Sequence, residues 1–582
     1  KRFDAGLIAR GQTALLLGQA YLETDAAAAA DAELEHAEAL FREARYALGL
    51  ALALESRALA ALRLGDHAGV EKLAREAIDV YSVLRGRLTN LDLRANYASQ
   101  QFRPANVYVK SLMQRHVADP DAGYDARALE VAERARARTL LEVLNDSDAD
   151  RSGASPRILA RRSRLLREIS ANAEPTLPSG ARSRGDLIEL LSELDELESR
   201  IVEQTRPEFG RIADIDLSVE EVQAALGPGE LLLYYFIGDD EVFAWAVSAG
   251  TADGLSLGES RVIEQAAQTT AKGLRELDSV EAGLEQLSRL VLGPFAPAME
   301  GASRIVIVTD GALNYVPFEA LPVPGARTRL LNDFVVSYAP SVATLSVLRA
   351  AAAGHEREPL VLAVSDPVFS LRDRRIEPGE SSDDERRGGQ PLNRLALTAL
   401  EADAIEALVP DGRLLDLAGL EANRGTLLEA LTTKQPDIVH IATHGFVDTD
   451  RPELTGISLS IDPAAAAMGP SFIGLRDIYL LNLSARLVVL SACETALGRE
   501  LKSEGLVGLT RAFLYAGARQ VIASLWQVQD RSTSELMRRL YSGYLSDGLD
   551  AAEALRAAKL EVRANPRWRH PYYWSGFVLQ GH

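Results

Sequence analysis

Cysteine is nearly absent: 582 residues contain a single thiol, Cys493. That excludes an intrachain disulfide framework and fits a reducing, cytoplasmic compartment. Lysine is scarce as well, seven against 56 arginines, which together with the many alanines suggests a GC-rich bacterial coding sequence. Long apolar runs are missing. Charge interrupts each of them well before the roughly 18 residues that a membrane span needs, so no transmembrane segment is expected. Positive charge is outweighed by negative, giving a formal charge of −20. Nucleic acid and anionic lipid both reward basic surfaces, so neither is an expected partner. An initiator methionine is lacking too, and the native start is expected upstream of Lys1.

What remains is length and two distinct textures. A chain of this size exceeds one core and is expected to form two to four domains. Residues 1–145 read as helix throughout, rich in Ala, Leu, Glu and Arg. Degenerate repeats appear in them: Ala37, Phe41 and Ala44 share the spacing of Val70, Ala74 and Ala77, and of Ala128, Ala132 and Ala135. Offsets of four and three put small residues on one helix face, where a neighbouring helix can approach closely. The pattern resembles tetratricopeptide helix pairs without their Trp, Pro and most aromatic positions; a generic helical bundle is the alternative. A linker and helical hairpin are expected over 146–215, where "NDSDADRSGASP" precedes helices near 157–172 and 185–204, although the second helix could equally face a partner.

From about residue 216 short β-rich runs alternate with helical spacing: "ELLLYYFIG", "VFAWAVS", "RIVIVTD", "LVLAVSD", "DIVHIATHG", "ARLVVLSAC" and "RQVIASLW". The later runs are apolar on both faces, as parallel strands covered by helices must be. The helix "SEGLVGLTRAFLYAG" is expected to start at Ser503 and end at Gly517. Residues 216–582 therefore read as one α/β domain, interrupted by a charged loop over 371–391.

Two strand ends carry reactive side chains. "DIVHIATHG" ends at His444-Gly445 and "ARLVVLSAC" at Cys493, 49 residues on, which leaves room for a crossover between neighbouring parallel strands. A His about 50 residues upstream of a Cys is the caspase arrangement, in which imidazole takes the thiol proton. Against this, a lone cysteine after an apolar run is often a small core hydrophobe. His440 and His444 form an HxxxH pair that could bind zinc on a helix, but "IVHIAT" favours a strand and lacks the glutamate of HExxH. His440 reads as a core histidine or a group supporting the site.

The segments "VIVTDGALNYVPFEAL", "VHIATHGFVD", "VVLSACETALG", "SEGLVGLTRAFLYAGARQVIASLW" and "HPYYWSGFVLQG" together resemble a CHAT domain, the caspase-like (clan CD) cysteine peptidase domain often joined to tetratricopeptide repeats. The resemblance implies an α + α/β chain, a helical-repeat array followed by a caspase-like α/β/α domain with a mainly parallel sheet. It implies Cys493 as nucleophile and His444 as general base and acid, with the backbone amides of Gly445 and Cys493 as oxyanion hole. "SACET" stands where caspases have QACxG, and Ser491 where metacaspase-like relatives have an acidic residue, so neither cleavage preference transfers. Asp530 either lines the first specificity pocket or caps the following helix. Gly311 and Pro317 read as turn residues, Trp526 and Trp574 as core or pocket wall, and Asp448 and Asp450 as solvated. The implied partners are a protein or peptide substrate and a protein activator on the helical repeats; no cofactor or metal is implied. An inactive caspase-like scaffold is the rival reading.

Overall fold

The computed structural model describes residues 5–86, 91–136, 161, 193, 217–350, 358–370, 373–376, 392–446, 455–461, 470–479, 481–491, 498–501 and 505–581. Six helices open it: α1 Ala5–Glu23, α2 Ala27–Ala44, α3 Ala47–Arg63, α4 His67–Gly86, α5 Leu91–Ala118 and α6 Tyr124–Arg134. Each packs on the next, as helix pairs joined by short turns do. All nine residues of the three repeated triplets are buried. Glycine permits the closest approach: a Cβ on Gly18 of α1 would stand 2.5 Å from Leu34 of α2. Left-handed residues close the turns, Asp25 at φ 59°, Arg45 at φ 54° and Gly65 at φ 74°. Of the stretch between array and sheet, Arg161 and Glu193 are helical and ion-paired, one in each helix expected there.

The second part is built on an 11-stranded sheet. Its strands are β1 Glu230–Ile237, β2 Glu241–Val247, β3 Ala252–Glu259, β4 Arg304–Val308, β5 Val335–Tyr338, β6 Val361–Ser365, β7 Leu414–Ala418, β8 Ile438–Ile441, β9 Leu487–Leu490, β10 Gln520–Ser524 and β11 Phe577–Gly581. The order across the sheet is β3-β2-β1-β4-β5-β11-β10-β9-β8-β6-β7. From β1 through β4 and β5 to β11 the strands are parallel, and from β10 to β7 they are parallel again. The two blocks meet antiparallel at β11 and β10, so their carboxyl ends lie at opposite edges.

Period-2 alternation in β1 explains how the array and the sheet come together. Leu231, Leu233 and Tyr235 face a core shared with the helices Ser260–Arg275 and Glu281–Val291. Leu232, Tyr234 and Phe236, with Trp245 and Val247 of β2, enter a second core with Phe102, Tyr108, Leu112 and Met113 of α5 and Leu129 of α6. Phe102 and Phe236 stack at 4.9 Å. The N-terminal helical repeats thus cover one face of an α/β domain whose sheet is mostly parallel.

The stretch expected to be helix from Ser503 divides instead. Gly505–Gly508 pairs antiparallel with Gly498–Leu501, and the helix is Leu509–Tyr515. Glycines at 505 and 508 disfavour helix, which is why the start moves. The end falls where expected. Gly517, at φ 106°, donates to Leu514 O and Ala518 donates to Phe513 O, a Schellman closure.

Candidate functional site

Strands β8 and β9 run side by side with Leu490 opposite Ile441, and the Ser491 amide carries the ladder on to Ile441 O at 2.9 Å. Past its last paired residue β8 continues through Ala442, whose amide donates to Val364 O of β6 at 2.9 Å, to Thr443 and His444. Thr443 is buried and its hydroxyl donates to Ser458 O, while the Ser458 amide donates to His444 O at 2.9 Å. The backbone on both sides of His444 is therefore fixed to a neighbouring strand, Gly456–Ile461. That strand joins Gly445–Phe446 and Pro470–Gly474 in a three-stranded sheet beyond the carboxyl ends of the main one. Gly445 lies opposite Ile457 in it.

Among the described residues two groups meet the His444 ring. Its Nε2 is 2.8 Å from the carbonyl oxygen of Asn393, and the Phe369 ring lies against it with centroids 5.0 Å apart. A carbonyl only accepts, so this bond places a proton on Nε2 and, in the neutral ring, leaves Nδ1 as the acceptor. An imidazole held in that state can accept a proton at Nδ1, on the side of the ring away from Asn393. Asn393 and Phe369 escaped the sequence reading, because a backbone carbonyl has no residue signature and Phe369 reads as ordinary core.

Cys493 lies outside the described residues, as do Asp448, Asp450, Ser503 and all of the 371–391 loop except 373–376. The strand before it is described as far as Ser491, which is buried. Asp530 is exposed at the first position of the helix Asp530–Tyr541, and capping falls to Gln529, whose side chain accepts from the Ser532 amide.

His440 is a fully buried strand residue. Tyr541 Oη lies 3.1 Å from its Nδ1 and Glu401 Oε2 lies 3.1 Å from its Nε2. Burial, and after it the Glu401 charge, push the Tyr541 hydroxyl well above its ordinary range. His440 is thereby committed to the interior beneath the site, as a core or supporting residue should be. Trp526 and Trp574 are buried, and Gly311 forms a turn at φ 52°. Among the described residues no cluster of three or more His, Cys, Asp or Glu could hold a metal ion, and no helix is long and apolar enough to cross a membrane.

The class of protein so defined is a helical-repeat array joined to an α/β domain whose mainly parallel sheet carries a histidine just past one strand end. The family model described as CHAT domain matches residues 281–582, more than half of the chain, and the chain belongs to that family. Tetratricopeptide repeat protein 28 of Mus musculus is 42% identical over 105 residues, 18% of this chain and 4% of that protein. Its Homo sapiens counterpart is 27% identical over 309 residues, 48% of this chain and 12% of that protein. The chain thus spans only a small part of these relatives' length. Among solved structures, the Saccharomyces cerevisiae separase–securin complex matches 99% of this chain and 53% of its own, with 10% identity and a TM-score of 0.40. The Arg-specific cysteine proteinase gingipain R matches 55% of this chain and 73% of its own, with 8% identity and a TM-score of 0.35.

Proposed function

We propose that the chain is a cysteine endopeptidase acting through Cys493 and His444, in the cytoplasm, on a protein substrate. The observation that carries the reading is His444 itself, bonded through Nε2 to Asn393 with no partner on Nδ1 among the described residues, past the end of a strand whose neighbour leads in sequence to Cys493. Leu490 pairs with Ile441, and in the sequence Cys493 and His444 each follow these paired residues by three positions. Neighbouring strands are about 4.8 Å apart, a spacing at which a thiol and an imidazole can meet. His444 Nδ1 takes the thiol proton, and the sulfur attacks the scissile carbonyl carbon. The C–N bond breaks as Nδ1 returns its proton to the departing amine, and water, deprotonated by the same nitrogen, hydrolyses the thioester. The amides of Gly445 and Cys493 stabilise the oxyanion. Asp530, exposed at a helix start beyond β10, is a specificity residue only if substrate reaches that far. The helical repeats hold a protein partner that gates turnover.

The test is a peptide-library digestion read by mass spectrometry, comparing the wild type, Cys493→Ala and His444→Ala, with and without host lysate. Cleavage that disappears in both variants is expected. The curated relatives are named for their repeats rather than for a peptidase, which favours a second reading as a binding scaffold. No cleavage by the wild type in any condition, with lysate proteins retained on the array, would establish the scaffold.

A further inference from the structure

The segment between β6 and the helix Thr398–Glu406 leaves and returns at one carboxylate. Asp366, the residue after β6, is 8% exposed and left-handed at φ 45°, a conformation that costs a non-glycine residue on the order of 1 kcal/mol. On the outgoing limb Arg375 Nη1 lies 2.8 Å from its Oδ2 and also donates to its backbone carbonyl at 2.8 Å. On the returning limb Arg394 grips it bidentately, Nε to Oδ1 at 2.8 Å and Nη2 to Oδ2 at 2.6 Å. The Asp366 amide donates to Thr398 Oγ1 at 2.8 Å. Asp373 holds Arg375 from its other side, and the Arg375 hydrogen bonds bring its carboxyl down to about 2. The residue before Arg394 is Asn393, whose carbonyl holds His444. In the helix that follows, Glu401 meets His440 in β8, the strand that leads to His444.

We propose that Asp366 is the positioning residue of this site: through Arg394 it presses the Asn393 carbonyl onto His444 and so fixes the proton on Nε2. Bidentate guanidinium–carboxylate pairing supplies directional rigidity that a single hydrogen bond does not. A backbone carbonyl on an untethered loop would drift, and the imidazole would exchange between tautomers. One of those tautomers has no acceptor on Nδ1. The catalytic consequence rests on the peptidase reading; the tautomer does not.

The test uses the full chain with labelled histidine, reading the neutral-state tautomer of His444 by nitrogen chemical shifts and assigning its signals with His444→Ala. Wild type should show a dominant Nε2–H form. Arg394→Gln, at a half-exposed side chain that leaves the core intact, and Asp366→Asn should both give a mixture, with Arg394→Lys intermediate. Arg424→Gln breaks a comparable pair with Asp477 that does not touch this segment and should leave the tautomer unchanged. The rate of Cys493 alkylation across pH should fall about tenfold near neutrality in Arg394→Gln, the order of effect expected of a misplaced base. A folded Arg394→Gln and Asp366→Asn that both keep the wild-type tautomer overturn the proposal, even if peptides are cleaved. A tautomer that shifts in a chain that cleaves nothing leaves the positioning intact and removes the peptidase reading.

Discussion

Glu55 of α3 keeps only 13% of its side chain exposed, and this burial pushes its carboxyl up to about 7. Arg103 attracts it and Tyr81 donates to it, both opposing that rise, while Asp239 of the β1–β2 turn adds to it. Between its unfolded value and 7 the folded state binds the extra proton, so stability falls as pH rises through that window. The loss is on the order of 3 kcal/mol by pH 8. Glu55→Gln should remove this slope: its stability relative to wild type, from urea midpoints, rises between pH 5 and pH 8. A constant difference at the two pH values would show that Glu55 does not titrate there. Lys559 and Glu319 make the opposite case, a buried pair 2.5 Å apart to which Tyr338 also donates. Lys559→Met leaves a buried carboxylate without its cation and should cost about 3–5 kcal/mol. Adding Glu319→Gln should recover much of that, and strict additivity in the double-variant cycle would contradict the coupling.

Among elements, the strands legible in the sequence are those with apolar faces on both sides. β1, β2, β4, β6, β8, β9 and β10 carry apolar runs rich in Val, Ile, Leu and aromatic residues because helices cover the sheet. β3 is an edge strand with Gly254, Ser256 and Gly258, β5 has four residues, and β7 begins in a charged neighbourhood, so none gives a clear period. β11 is readable only as part of the motif "FVLQG". At the site, His444 was legible because an imidazole at a strand end is itself a chemical signal. Asn393, 51 residues upstream, was not, since its contribution is main-chain and its placement depends on Asp366 folding the segment back. Gly517 tests an element directly: at φ 106°, a Cβ there would stand 2.3 Å from Leu483 O. Gly517→Ala should cost at least about 1–3 kcal/mol and loosen the turn into β10. An unchanged melting temperature would mean that Leu483 yields without penalty.

At the scale of the whole molecule, the division of the chain at 146–215 is a proposal, and the shared core sets what it can mean. Arg136, just past α6, donates to Thr309 O and Tyr235 O, lies 3.2 Å from Asp310, and stands over the Tyr234 ring. Glu133 accepts from the Ala343 amide at the start of a helix beside β5. The C-terminal end of the array is thus built into the carboxyl-end edge of the first parallel block, opposite the edge that carries His444. If α5 and α6 left, the aromatic face of β1 and β2 would be exposed to water and the hydrogen bonds of Arg136 and Glu133 would be broken, so array and sheet should remain together even when the chain between them is cut. Limited trypsin digestion is expected to cut first within 146–215 and 371–391, where arginines stand among polar residues. The fragments should then co-elute in size exclusion and separate only in denaturant, and Arg136→Met should lower the denaturant needed. Fragments that separate spontaneously, or first cuts scattered within residues 5–86, would refute the joined architecture. They would also remove the physical route that the proposed gating by a partner on the array requires.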